Sequence, residues 1–158
     1  MNSMDSQFMK EAIRLSEHGM RLNKGGPFGA VVVQRGEIVG RGFNSVTSRN
    51  DPTAHAEIVA IRDACRRLKT FSLEGCAIYS SCEPCPMCLA AIYWARLERI
   101  CYGNTREDAA AIGFDDASFY HELSLPMSKR RLRMKQTMHR QAHASFDAWL
   151  KKMDKIGY

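Results

Sequence analysis

The chain has no run of about 18 consecutive apolar residues, which is what a helix needs to cross a bilayer. Its first twenty residues, MNSMDSQFMKEAIRLSEHGM, lack the apolar core of a secretory signal. Internal repeats, low-complexity tracts and Pro/Gly/Ser-rich linkers are also missing, so solenoid, fibrous and multi-domain readings fall away. With 45% hydrophobic and 25% charged residues, intrinsic disorder is excluded too. These absences point to one cytoplasmic globular domain over residues 1–158, long enough to bury roughly two thirds of its unfolded surface.

Six cysteines without an export signal argue against a disulfide scaffold, and three of them crowd together at Cys82, Cys85 and Cys88. Such clustering points to metal. A net charge of +6 suits an anionic partner such as nucleic acid, but many basic enzymes never bind one.

Residues 5–22 read as a helix on Met9, Ile13, Ser16 and Met20, with Phe8, Ala12 and Leu15 widening the stripe. Residues 29–34 and 37–43 read as a hairpin turning at Arg35-Gly36, the second strand delivering Asn44. A helix over 53–69, a strand over 76–80, a helix over 86–96 and a strand over 99–103 follow. Strand, helix, strand units of this kind imply parallel pairing. Alternation over 131–138 predicts a fifth strand, with Leu132, Met134, Gln136 and Met138 on one face. A last helix over about 141–154 carries Phe146, Trp149, Leu150 and Met153 at helical spacing. The expected fold is α/β: a three-layer α/β/α sandwich on a mixed five-stranded sheet.

The run Cys82-Glu83-Pro84-Cys85-Pro86-Met87-Cys88 follows a strand and opens a helix. Pro86 suits a first turn, placing Cys85 at the N-terminus and Cys88 one turn on, where the helix dipole favours thiolates. Upstream, His55-Ala56-Glu57 opens another helix. Three protein ligands, His55, Cys85 and Cys88, leave a fourth position for water, as in catalytic rather than structural zinc. Residues two apart on a helix do not share a face, so His55 is expected to ligate and Glu57 to serve the water. Taken singly, a histidine before a helix is usually structural and a C-x-x-C is more often structural or redox than catalytic. Together they form the H-x-E and P-C-x-x-C signature of zinc deaminases. Cys82, Cys85 and Cys88 also begin an iron–sulfur pattern, which would leave His55 and Glu57 without a role. Cys65 and Cys76 read as core residues.

At these residues the chain resembles the cytidine/deoxycytidylate deaminase superfamily, and beyond the shared motif it is similar to the guanine deaminase branch. The resemblance runs through GGPFGAVVV at 25–33, NDPTAHAE at 50–57, SCEPCPMCLAAIYWAR at 81–96, GFDD at 113–116, FDAW at 146–149 and Tyr158. Ala90 stands where relatives commonly have glycine. The resemblance implies hydrolytic deamination of guanine to xanthine and ammonia, with one Zn2+ per chain. It implies roles for Asn44 on the purine ring, Phe28 and Trp94 as pocket walls, Asp116 in proton transfer beside Glu57, and Tyr158 as a closing residue. It also implies a homodimer in which the segment from about 140 to 158 crosses to the partner. Adenosine editing in transfer RNA, action on guanosine or amino-triazines, and a non-catalytic zinc module remain alternatives. The basic run Lys129, Arg130, Arg131, Arg133 and Lys135 would serve RNA, although its alternation with Leu132 and Met134 also fits a solvated strand face.

Overall fold

The computed structural model describes residues 3–157. It divides into two compact units, one running to Asp116 and one starting at Ala117.

The first unit is built on a four-stranded mixed sheet in the order β2-β1-β3-β4. Strands β1 (Gly29–Gln34) and β2 (Glu37–Phe43) are antiparallel and joined at Arg35-Gly36. Both turn residues have positive φ, 50° and 82°, the conformation a two-residue hairpin needs to follow the strand twist. Strand β3 (Cys76–Cys82) pairs antiparallel with β1 and parallel with β4 (Arg99–Asn104). Helix α4 (Pro86–Trp94) makes the crossover that parallel pairing requires.

Helix α1 (Ser3–Arg21) covers one face of the sheet, where Phe8 and Leu15 pack with Val31, Val33 and Tyr79. Its buried stripe runs through Phe8, Ala12, Leu15 and Ser16, whereas Ile13 and Met20 are exposed. The apolar face is therefore turned from the one centred on Met9, Ile13 and Met20. On the opposite face, α3 (Ala56–Leu68) and α4 enclose Ala30, Val32 and Ile78. Central strand β1 is buried on both sides, which explains its unbroken apolar sequence.

Helix α3 lies unusually close to β2. A Cβ on Gly42 would sit 2.2 Å from the Ala56 carbonyl oxygen, and one on Gly40 would sit 2.4 Å from that of Ala60. Glycines on the strand facing Ala56, Ala60 and Ala64 on the helix bring the two backbones together. That contact fixes the N-terminus of α3, where His55 stands. A short helix α2 (Val46–Arg49) leads away from β2, and α5 (Arg106–Ala111) follows β4 with a Thr105/Asp108 capping box.

The second unit holds α6 (Ala117–Ser124), a 3-10 turn (Met127–Lys129) and α7 (His139–Lys151). Residues 131–138 form no strand, so the sheet has four strands rather than five. Alternation alone does not make a strand without a neighbour to complete its ladder. Leu132 and Met134 stay 77% and 62% exposed in the single chain. The predicted apolar face of the last helix, Phe146, Trp149, Leu150 and Met153, is likewise exposed. No described helix is long and apolar enough to cross a membrane.

Candidate active site

Two helix N-termini meet beside the C-terminal end of β3. His55 is the N-cap of α3 and Cys85 the N-cap of α4, both with extended backbone, and Pro86 takes the first turn of α4. The His55 Nδ1 atom lies 3.6 Å from Cys85 Sγ and 3.5 Å from Cys88 Sγ. The three ligand atoms fall within 4.8 Å of one another. A tetrahedral zinc with ordinary Zn–S and Zn–N bond lengths separates its nitrogen and sulfur ligands by about 3.5–3.6 Å. The donor set and its spacing therefore fit zinc. Hydrogen bonds donated by Cys88 and His55 lower the Cys85 thiol to about 4. Cys88 is held well above the ordinary thiol range, first because it donates to Cys85 and then by burial. His55 is raised by its contact with Cys85. Charge is thus already shared among these groups, and zinc would take both sulfurs as thiolates.

Cys82 stands apart. Its sulfur approaches the Thr105 carbonyl at 3.5 Å, and burial pushes its thiol up to about 11. The C-x-x-C-x-x-C run is therefore divided between a packed thiol and two ligands, which removes the iron–sulfur reading's third cysteine from the cluster.

Glu57, one residue into α3, is 5% exposed. Burial raises its carboxyl above the usual range, while a hydrogen bond from Ser80 Oγ at 2.9 Å works in the opposite direction. A carboxyl so raised holds a proton more readily than an exposed one, which suits it to take up and return a proton.

Asn44, 5% exposed, leaves the end of β2. Its Oδ1 accepts from the backbone N–H groups of Gly26 and Val46, each at 3.2 Å, which settles which end of the amide faces the backbone. Phe28, just before β1, meets Phe114 edge-to-face with ring centroids 4.9 Å apart. Asp116 is partly buried, and its carboxyl is raised by burial and then by the negative charge of Cys85. Trp94 ends α4 and is 65% exposed. Tyr158 lies outside the described residues.

The cytidine and deoxycytidylate deaminase zinc-binding region matches residues 2–104. The chain belongs to this family. Among the relatives of this zinc deaminase, the guanine deaminase of Bacillus subtilis is 47% identical over 142 residues, spanning 90% of this chain and 91% of that one. A crystal structure of guanine deaminase from Bacillus subtilis superposes with a TM-score of 0.94 at 45% identity, covering 100% of this chain and 99% of the other. The tRNA-specific adenosine deaminase of Aquifex aeolicus is 44% identical over 95 residues, 60% of this chain and 62% of that one. A further relative, solved in complex with 2,6-diaminopurine, has a TM-score of 0.68 at 31% identity over 73% of this chain and 64% of that one. The protein is thus a hydrolytic deaminase of a zinc-binding family, and its His/Cys/Cys cluster fits one zinc ion.

Two contacts made by the candidate residues of this zinc deaminase were not singled out from sequence. Ser80 hydrogen-bonds Glu57 from 23 residues away, and Phe114 covers Phe28 from beyond β4. A signal was present for each, in the polar Ser80-Ser81 pair of an otherwise apolar strand and in the aromatic of the GFDD block.

Proposed function

We propose that this enzyme removes the 2-amino group of guanine by hydrolysis, giving xanthine and ammonia, as a step in purine breakdown. The observation that carries the proposal is the match to guanine deaminase along both chains, which extends beyond residue 104 into the second unit. Binding of 2,6-diaminopurine by a more distant relative supports a purine pocket.

His55, Cys85 and Cys88 would hold the zinc, which when bound would supply the acidification of water that hydrolysis at neutral pH needs. Glu57 accepts the water proton and delivers it to the ring as the oxygen adds to C2. Glu57 or Asp116 then takes the proton of the new C2 hydroxyl and passes it to the amine, so that the C2–N bond breaks as the C2 carbonyl of xanthine forms and ammonia leaves. Burial raises both carboxyls above their ordinary range, which suits them to hold and pass on a proton. With its Oδ1 engaged by backbone, Asn44 offers its NH2 group to a purine acceptor. Phe28 and Trp94 wall the ring, and Tyr158 closes over it.

In this reading the enzyme is a cytoplasmic homodimer, a setting that suits its six free cysteines. The segment from about 140 to 158 crosses to the partner's site. The exposed apolar face of α7 supplies a physical motive, since burial releases about 25 cal/mol per Å².

Ammonia release measured on guanine, guanosine, adenine, cytosine, cytidine, an amino-triazine and a transfer RNA tests the substrate. Guanine is expected to lead; preference for adenosine in transfer RNA would overturn the assignment. The crossing is tested by mixing a Glu57→Gln chain with one lacking Gly157 and Tyr158. In a crossed heterodimer one site combines an intact Glu57 with an intact tail and recovers activity, whereas uncrossed subunits stay inactive.

A further inference from the structure

A groove of about 450 Å³, lined by none of the zinc ligands, opens between β2 and α3. Such a volume lies within the usual range for small-molecule sites. Its rim carries Arg41, Arg49, Arg62, Arg66 and Arg67, and its apolar lining is Leu15, Phe43 and Val59. The C-terminal dipole of α3 accounts for Arg66 and Arg67. It does not account for Arg41 on β2 or Arg49 on α2, which the fold brings to the same opening from separate elements.

Local carboxylates do not balance these five guanidiniums. Asp63, the one carboxylate of the lining, takes Arg66 at 2.5 Å and Arg67 at 2.9 Å and also accepts the backbone N–H of Arg41. Arg41 reaches Glu11 at 3.2 Å, but Glu11 also holds Arg14 at 2.7 Å. Arg62 comes no closer than 3.8 Å to Asp51, whose other oxygen accepts from Thr53. Among the described residues, Arg49 has no ion-pair partner. Arginine forks match phosphate oxygens in bidentate geometry, and clustering them raises the local potential for an anion with several charges.

We propose that this groove binds a nucleoside di- or triphosphate, the phosphates on the arginine rim and the base or sugar over Phe43, Leu15 and Val59. The concave shape and apolar lining favour a compact ligand over an extended RNA backbone. An open basic stripe would do as well for RNA; an apolar floor beneath the arginines adds something only for a ligand that brings its own ring. None of these residues belongs to the zinc site, so the inference stands independently of the substrate assigned above.

The test is calorimetric titration of the zinc-loaded, full-length enzyme with guanosine triphosphate, adenosine triphosphate, inorganic tripolyphosphate and a short single-stranded RNA. Saturable binding of a nucleoside triphosphate is expected, at least about tenfold tighter than tripolyphosphate and weakening as salt rises. The double variant Arg49→Glu with Arg62→Glu should lose at least about tenfold in affinity, consistent with two charge-assisted contacts. Its zinc content and basal deaminase rate should be unchanged. Arg49→Gln with Arg62→Gln, made at the same exposed positions, should show an intermediate loss and guards against misfolding of the charge-reversed chain. No saturable binding, equal affinity in both variants, tripolyphosphate binding as tightly as a nucleotide, or RNA binding more tightly through the same arginines would each overturn the proposal.

Discussion

The hydroxyl of Ser80 donates a hydrogen bond to the Glu57 carboxyl at 2.9 Å, tying the centre of β3 to the first turn of α3 inside the core. Ser80 is fully buried, so the bond orients the carboxyl and stabilises its charged form at once. Ser80→Ala should leave the zinc content at one per chain and lower kcat/KM by about tenfold, the range of one buried hydrogen bond to a charged group. Glu57→Gln removes the proton acceptor itself and should cost about 10² to 10⁴ in rate while keeping the metal. Rates paired with metal analysis check both variants; a Ser80→Ala enzyme of normal rate would show that this bond does not position Glu57 for the reaction.

Removing zinc should abolish activity and loosen the fold together, because the ligands come from the N-caps of two different helices. Dialysis against a chelator should lower the melting temperature by on the order of 10 °C, as expected when a ligand bound far above its Kd is lost. Readdition of one equivalent of zinc should restore both. Cys88→Ser should not recover, since the hydroxyl is a poor substitute for thiolate. Calorimetric melting with and without metal reads the first effect, and ammonia release reads the second.

Gly40 and Gly42 separate stability from metal binding. A methyl group at either position collides with α3 backbone, at 2.4 Å from Ala60 O and 2.2 Å from Ala56 O respectively. Each Ala variant should lose about 1–3 kcal/mol of stability by overpacking. Ala56 adjoins His55, whereas Ala60 lies a turn further along, so Gly42→Ala alone should also weaken zinc binding. Denaturant unfolding and competition against a zinc indicator make the comparison.

Local patterns made the β1–β2 hairpin legible to the residue, because the strand residues and the Arg35-Gly36 turn agree. The zinc ligands were legible for the same reason: each helix start is marked within a few residues. Long-range facts were not. The bond from Ser80 to Glu57, the Gly26 backbone donor to Asn44 and the Phe28–Phe114 contact each join residues 18 or more positions apart. Alternation at Leu132 and Met134 misled, since a strand is defined by its neighbour and the pattern contains no information about one. On α1 the stripe was recognised but its centre was misplaced, because Ile13 and Met20 weigh more in hydrophobicity than Ala12, which the close packing of α1 on Gly29 prefers.

The acid limb of stability should report the attachment of α1 to the sheet. Tyr79, on β3, donates to Asp5 of α1, and Arg99 of β4 reaches Asp5 at 3.0 Å and the Tyr79 oxygen at 2.5 Å. The Arg99 guanidinium, and next the Tyr79 hydroxyl, hold the Asp5 carboxyl below its usual range, while burial first and then Asp5 push Tyr79 up to about 12. A carboxyl with a lowered folded-state pKa contributes stability above its unfolded value, near 3.9, and loses it as pH falls through the folded value. Asp5→Asn keeps an acceptor for Tyr79 and removes only the charge, so it isolates this term. At pH 6–8 the variant should melt lower than the parent by on the order of a few degrees. As pH falls below about 4 and through the lowered folded-state value, the two melting temperatures should converge as the parent's Asp5 becomes neutral. Loss of zinc in acid affects both proteins alike and cancels in the difference. Salt should narrow the gap at neutral pH, because Arg99 is half exposed and its attraction to Asp5 is screened. A gap that stays constant from pH 7 to pH 2 would mean that the Asp5 charge contributes nothing and that α1 is held by Phe8, Ala12 and Leu15 alone.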